Sequence, residues 1–397
     1  MKEGIRMTTS RDRCMRKDRG GLGRRELIGL GLANFAPVAR PLAAAPARSL
    51  VVRVHSSSAT RKWDYDAYAP WDHTVEMTKT QPGKIKERYY DYIHDQVVAV
   101  MLEKGLRELT GEKTAEASWR SLMPGFQRQQ KVTLKLNMNN ASFDPEITTN
   151  RMDQTMPLVN AILDHLIAGL GMDHGNITLL DAKRWFHPII VKARCRHNGV
   201  RWVDSRSPDL WNTSESVVFT RDDPAPGGNF WMPRDYTAAD HIINLCLMKN
   251  HGCGITGAMK SHFGSIPSPK CLHDGLGDKS YIADLCATPS IRKKVRVNIA
   301  DALFANWHGN VWAPRAWNTF PEPSPNSLLL SRDPVALDSV MLDHIVEEIG
   351  TQGAAATSYV RDCVTHIHFL EYAMKHHGLG VFERRPYRGI QYSVLEA

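Results

Sequence analysis

Short apolar runs alternate along this chain with longer stretches in which apolar positions recur every three or four residues. The short runs are "SLVVRVHS" (49–56), "KVTLKLNMN" (131–139), "NITLLDA" (176–182), "RWVDS" (201–205), "SVVFT" (216–220), "HIINLCLM" (241–248), "KVRVNIADA" (294–302) and "NSLLLS" (326–331). They predict strands. Residues 88–109 place Tyr92, Val97, Val100, Met101 and Leu106 at helical spacing, and "MPLVNAILDHLIAGLG" (156–171) reads as a helix closing on Gly169 and Gly171. In "DPVALDSVMLDHIVEEIG" (333–350), Asp333 is the expected N-cap and Pro334 fills the first helical position. "THIHFLEYAMKHHGLG" (365–380) predicts a last helix with a glycine cap. Most of the strands are continuous apolar runs rather than alternating ones, as strands covered on both faces are. The expected fold is therefore α/β: a mixed, mostly parallel sheet with helices on both faces, in a single large domain over residues 48–397.

The net charge of +8 changes this picture only at one end. Residues 1–48 hold eleven basic and four acidic residues, so +7 of the +8 lies there and the rest is close to neutral. A nucleic-acid surface would put that charge on the folded domain, so nucleic acid is excluded as a partner. The basic segment reads instead as an export signal. "GRRELIGLGLANFAPVARPLAAAPARS" sets Arg24 and Arg25 before a modestly apolar stretch that ends in small residues, with "APA" as the cleavage site after Ala47. Paired arginines followed by Leu27 and Ile28 make it a twin-arginine address. The expected partners thus include the twin-arginine translocation machinery, and the expected location is periplasmic. No later segment approaches the ~20 apolar residues of a membrane span.

Loss of residues 1–47 would leave Cys195, Cys246, Cys253, Cys271, Cys286 and Cys363. There is no C-x-x-C and no ferredoxin-type run, so an iron–sulfur cluster is not expected in this chain. Buried free thiols are the expectation.

The densest chemistry lies in "LMKNHGCGITGAMKSHFG" (247–264), directly after the apolar run at 241–248. Ligands in open α/β sheets bind beyond the carboxyl ends of strands. A glycine-rich turn from Lys249 to Gly254, followed by a short helix at about 256–262, would offer backbone N–H groups and a positive helix end. Lys249 and Lys260 add charge, so the expected ligand is an anionic small molecule held by Lys249, Asn250, Gly252, Gly254 and Lys260. Asn137, Asn139 and Asp301 are expected to join them from other strand ends, since converging buried polar groups need partners or a ligand. His251 and His262 are the candidate acid–base groups. His251, His262 and His273 recur every eleven residues, with Cys253 close by. These four are the candidate ligands of a transition metal, although none of their spacings is H-E-x-x-H.

The blocks "KVTLKLNMN", "NLCLMKNHGCGITGAMKSHFGSIPSP", "VRVNIADAL" and "LLLSRDPVALDSVMLDHI" together resemble the DUF362 family, a domain of unknown function, over about residues 131–345. The resemblance implies no general activity. Some members carry an attached ferredoxin-like cluster domain and some carry twin-arginine signals; this chain lacks the clustered cysteines. Three functions stay open on the sequence: an exported enzyme acting on an anion, a non-catalytic periplasmic carrier of a cofactor or metal, and a redox-associated protein. The cofactor is unknown.

The export reading has a direct test. Arg24→Lys combined with Arg25→Lys should hold the protein in the cytoplasm, measured by fractionation. Undiminished export of the double variant would refute the twin-arginine assignment.

Overall fold

The protein is described here by a computed structural model covering residues 48–65, 88–139, 151–188, 191–220, 223–252, 254–273, 279–309 and 313–397. Eleven strands follow in chain order: β1 (Ser49–His55), β2 (Val132–Lys135), β3 (Ile177–Asp181), β4 (Arg201–Asp204), β5 (Trp211–Ser216), β6 (Trp231–Pro233), β7 (His241–His251), β8 (Gly254–Thr256), β9 (Val295–Asn306), β10 (Ser327–Ser331) and β11 (Ile390–Glu396). Nine of them form one sheet in the order β11-β1-β10-β9-β7-β2-β3-β4, with β8 paired to β7. The pairs β1/β11, β2/β3, β2/β7, β3/β4 and β7/β9 are parallel. The pairs β1/β10, β9/β10 and β7/β8 are antiparallel. The sheet is mixed and mostly parallel, as its continuous apolar strands imply.

Each face of the sheet carries its own core. On one side Val98, Met101, Leu102 and Leu106 of the Asp95–Thr110 helix pack with Leu158 and Ile162 of the Met156–Asp164 helix. On the other, Val335, Val340 and Met341 of the Pro334–Thr351 helix pack with Ile282 and Phe369. Ser49–Ala397 cluster as one unit. Asp333 caps the Pro334–Thr351 helix by accepting from the Val335 and Ala336 amides, as its position suggests.

The departures from the sequence reading have local causes. "SVVFT" (216–220) is not a strand: the pairing ends at Ser216, and Val218 is exposed. Val100 also faces out, because the buried stripe of its helix runs through Val98, Met101 and Leu102. β6, β8 and β11 are short or polar runs without a continuous apolar signal. The expected short helix at 256–262 is replaced by a hairpin: β7 continues through Lys249 and Asn250 to His251, and β8 folds back on it. A 3-10 turn at Lys260–Ser265 then follows. The export segment and Cys253 lie outside the described residues. Among those described, no helix is long and apolar enough to cross a membrane.

Cys195, Cys246, Cys271, Cys286 and Cys363 carry no disulfide. Alkylation under denaturing, non-reducing conditions should therefore label all five completely. A disulfide-linked peptide pair in the tryptic map would contradict this.

Candidate functional site

The carboxyl ends of β2, β3 and β7 meet at a cavity of about 110 Å³. Its walls include Asn137 and Asn139 after β2, Asp181, Lys183 and Arg184 at the end of β3, Lys249 and His251 on β7, and Lys260 with His273 from the segments that follow. Parallel strands bring these ends to one rim, which is why residues distant in sequence share a wall.

Lys135 and Lys249 are both buried on strands here, and they are treated differently. Lys135, on β2, is fully buried and forms an ion pair with Asp181 at 3.4 Å while donating to the Leu136 carbonyl. The Asp181 carboxylate also accepts from the Met138, Lys183 and Arg184 amides, each at 3.1 Å. Gly264 makes room for this cluster: a Cβ there would lie 2.5 Å from Lys135 Nζ and 2.8 Å from Asp181 Oδ1. Lys249, on β7, is 1% exposed, and among the described residues it forms no ion pair. It donates to Asn139 Oδ1 at 3.4 Å. Asn139 is pinned for this, since its backbone amide donates to Asp153 and its side-chain nitrogen to the Met152 carbonyl.

Burial pushes the Lys249 amine well below its ordinary pKa of 10.5, and the neighbouring Lys260, Arg184 and Arg151 push it further in the same direction. Asp153 opposes them. Burial lowers the His251 ring in the same way, reinforced by Lys260, Lys249 and His273, so the ring is neutral. The His251 and His273 rings lie 5.6 Å apart between centroids. His273 Nδ1 is hydrogen-bonded to the Pro269 carbonyl at 2.8 Å.

Several expected site residues lie elsewhere. The Asn250 side chain is turned away from the cavity, donating to the Trp307 and Val360 carbonyls. Gly252 and Gly254 serve packing: a Cβ on Gly252 would lie 2.6 Å from the Tyr359 hydroxyl, and one on Gly254, at φ +85°, would collide with the His366 carbonyl. Asp301 is not at a strand end, since β9 runs on to Asn306. It accepts from the Thr155 amide and hydroxyl and from Gln154, holding the start of the Met156–Asp164 helix. Burial raises its pKa to about 6.

His262 is also misplaced as an acid–base candidate for this cavity. It lines a separate cavity of about 200 Å³ with Cys286 and Asn298. Its ring contacts the Tyr236 hydroxyl at 3.4 Å, and burial, with help from Lys135, drops its pKa to about 3. Of the expected metal set, His251 and His273 share this cavity, His262 lines the other one, and Cys253 lies outside the described residues. Among the described residues no group of three or more His, Cys, Asp or Glu side chains is placed to hold a metal. The expected helix end is occupied as well: the Ala258 and Met259 amides donate to Asp338 of the Pro334–Thr351 helix at 2.5 and 3.1 Å. Arg184 and Arg151 were not singled out in the sequence. Only their position just past a strand end or just before a helix could have signalled them.

The depressed Lys249 amine has a consequence for stability. Between its folded pKa and 10.5 the unfolded chain binds a proton that the folded chain does not, so its cost is absent above about pH 10.5 and grows as pH falls. Lys249→Met should therefore stabilise the ligand-free protein at pH 7, and the gain should shrink toward pH 10.5. Urea unfolding of variant and parent at both pH values measures this; a pH-independent difference would mean that the amine is charged as usual.

Comparison with known proteins adds a family and a distant structural likeness. No curated protein matches the sequence. Among solved structures, the apoprotein of lactate racemase from Thermoanaerobacterium thermosaccharolyticum is similar at a TM-score of 0.36 and 11% identity, over 63% of this chain and 56% of that one. The match thus spans just over half the length of that enzyme. The family model described as "Domain of unknown function (DUF362)" matches residues 132–343, more than half of the chain and the whole stretch that builds the cavity walls from β2 to His273. The chain belongs to the DUF362 family.

Proposed function

We propose that this protein is exported and binds a small anionic compound, a carboxylate or phosphate, in the cavity at the carboxyl ends of β2, β3 and β7. The observation that carries the reading is the charge balance of the walls. Among the described residues, Lys183, Arg184, Lys249 and Lys260 line the cavity with one carboxylate, Asp181, which is already paired with Lys135 and three backbone amides. Crowding basic groups at a buried wall is costly, and an anionic ligand would offset that charge. Lys260, 6% exposed with its Nζ 4.8 Å from the Phe263 ring centroid, brings its charge to the wall at the cost of desolvation. Neutral His251 is the group available for proton transfer to or from a bound ligand. The twin-arginine signal read in residues 1–47 supports delivery to the periplasm.

Lys260→Met should weaken binding of inorganic phosphate or pyruvate, measured by equilibrium dialysis. One charge-assisted hydrogen bond is worth ~1.5–3 kcal/mol, which is a loss of about 10- to 150-fold at ~1.4 kcal/mol per tenfold. Equal affinity in parent and variant, with the fold intact by circular dichroism, would overturn the anion site.

A further inference from the structure

We propose that Lys249 is an amine nucleophile that condenses with the carbonyl group of a small anionic carbonyl compound, a 2-oxo acid or a phosphorylated aldehyde or ketone. The inference rests on the anion-binding reading and goes further by naming the reacting atom and the substrate class.

Position is the first argument. Lys249 sits on β7, held by pairing with β8 on one side and β9 on the other, and its side chain lines the cavity from within the protein. Its described hydrogen bond is to an amide oxygen, Asn139 Oδ1, which accepts equally from an amine or an ammonium. The comparison with Lys135 is the second argument. Among the described residues the fold pairs the Asp181 carboxylate with Lys135, whereas Lys249 forms no ion pair and feels Asp153 only as a nearby charge. A carboxylate in contact would hold Lys249 protonated and unreactive; burial, Lys260, Arg184 and Arg151 act in the opposite sense and outweigh the nearby Asp153. Lysines are made nucleophilic at neutral pH by desolvation and by a neighbouring cation, and both conditions are met at this residue. The same cations would hold the carboxylate or phosphate of the ligand. The third argument is size. About 110 Å³ accommodates a small compound such as a 2-oxo acid.

The step balances without an oxidant. The Lys249 Nζ lone pair attacks the carbonyl carbon, and the C=O π pair moves to oxygen, which takes a proton. The nitrogen then loses a proton, leaving a carbinolamine. Neutral His251, two residues along β7, then takes the remaining N–H proton and delivers it to the departing hydroxyl, so that water leaves and the C=N bond forms. The net change is amine plus carbonyl to imine plus water.

The full chain should be incubated separately with pyruvate, glyoxylate and glyceraldehyde 3-phosphate in the presence of sodium borohydride, then mapped by peptide mass spectrometry. The expected result is a reduced adduct on the Lys249 peptide with at least one of the three, forming about tenfold faster than on any other lysine. Lys249→Arg should abolish it. Lys260→Met, which keeps the nucleophile, should slow it, and inorganic phosphate should compete with it in the parent. Equilibrium dialysis of the same three compounds and of phosphate separates the two proposals. Binding without a Lys249 adduct from any of them overturns the nucleophile and leaves the anion site standing. Absence of binding by all four, with no adduct, overturns both. Adducts spread evenly over surface lysines also overturn the nucleophile.

Discussion

A buried ammonium must be paired or lose its proton, and this protein buries two lysines on neighbouring parallel strands while pairing a carboxylate with one of them. Desolvating an ion costs several kcal/mol even after relaxation. Asp181 answers that cost for Lys135 and is itself satisfied by three backbone amides, so that corner is closed. Lys249, among the described residues, has a hydrogen bond to a pinned amide oxygen and the charge of Asp153 nearby, but no ion pair. That difference is what marks the rim of the sheet as the candidate site rather than a well-packed edge.

The glycine-rich stretch after β7 serves this arrangement indirectly. Its backbone amides are not open to a ligand, because Asp338 reaches across from the Pro334–Thr351 helix to accept from Ala258 and Met259. A Cβ on Gly257 would collide with that carboxylate. Burial raises the Asp338 pKa to about 7, although the two amides pull against it. The glycines thus let buried carboxylates approach the main chain from both sides of the sheet, Asp338 at Gly257 and Asp181 at Gly264. With the segment anchored in this way, Lys260 and Phe263 are held against the cavity wall.

This distinction bears on what the sequence could reveal. The fold class was legible because continuous apolar strands between amphipathic helices admit few arrangements, and the convergence of Asn137, Asn139, Lys249, His251 and Lys260 followed from parallel strands ending on one rim. The direction of each side chain was not legible. Asn250 and His251 are adjacent on a strand, so they point to opposite faces, and only one reaches the cavity. Regular spacing likewise suggested that His251, His262 and His273 act together, but the 3-10 turn from Lys260 to Ser265 carries His262 to another cavity. Glycines look the same in sequence whether they admit a ligand or a carboxylate of the protein itself. Asp338, about eighty residues downstream, could not be read as the occupant.

Charge and protonation at the rim are coupled by the same geometry. An anion entering beside Lys249 would favour its charged form, so tight binding of a simple anion and a free amine on Lys249 oppose each other. A ligand that carries both a negative group and an electrophilic carbon resolves the opposition. Its anion is held by Lys260 and the arginine side of the cavity, while the carbon meets the amine before a proton does. His251, neutral and on the same wall, is the group that can move the proton the exchange releases. Surroundings that lower the Lys249 pKa by burial and like charge therefore also select which anions gain from binding there, and favour those with a carbonyl over inorganic ones.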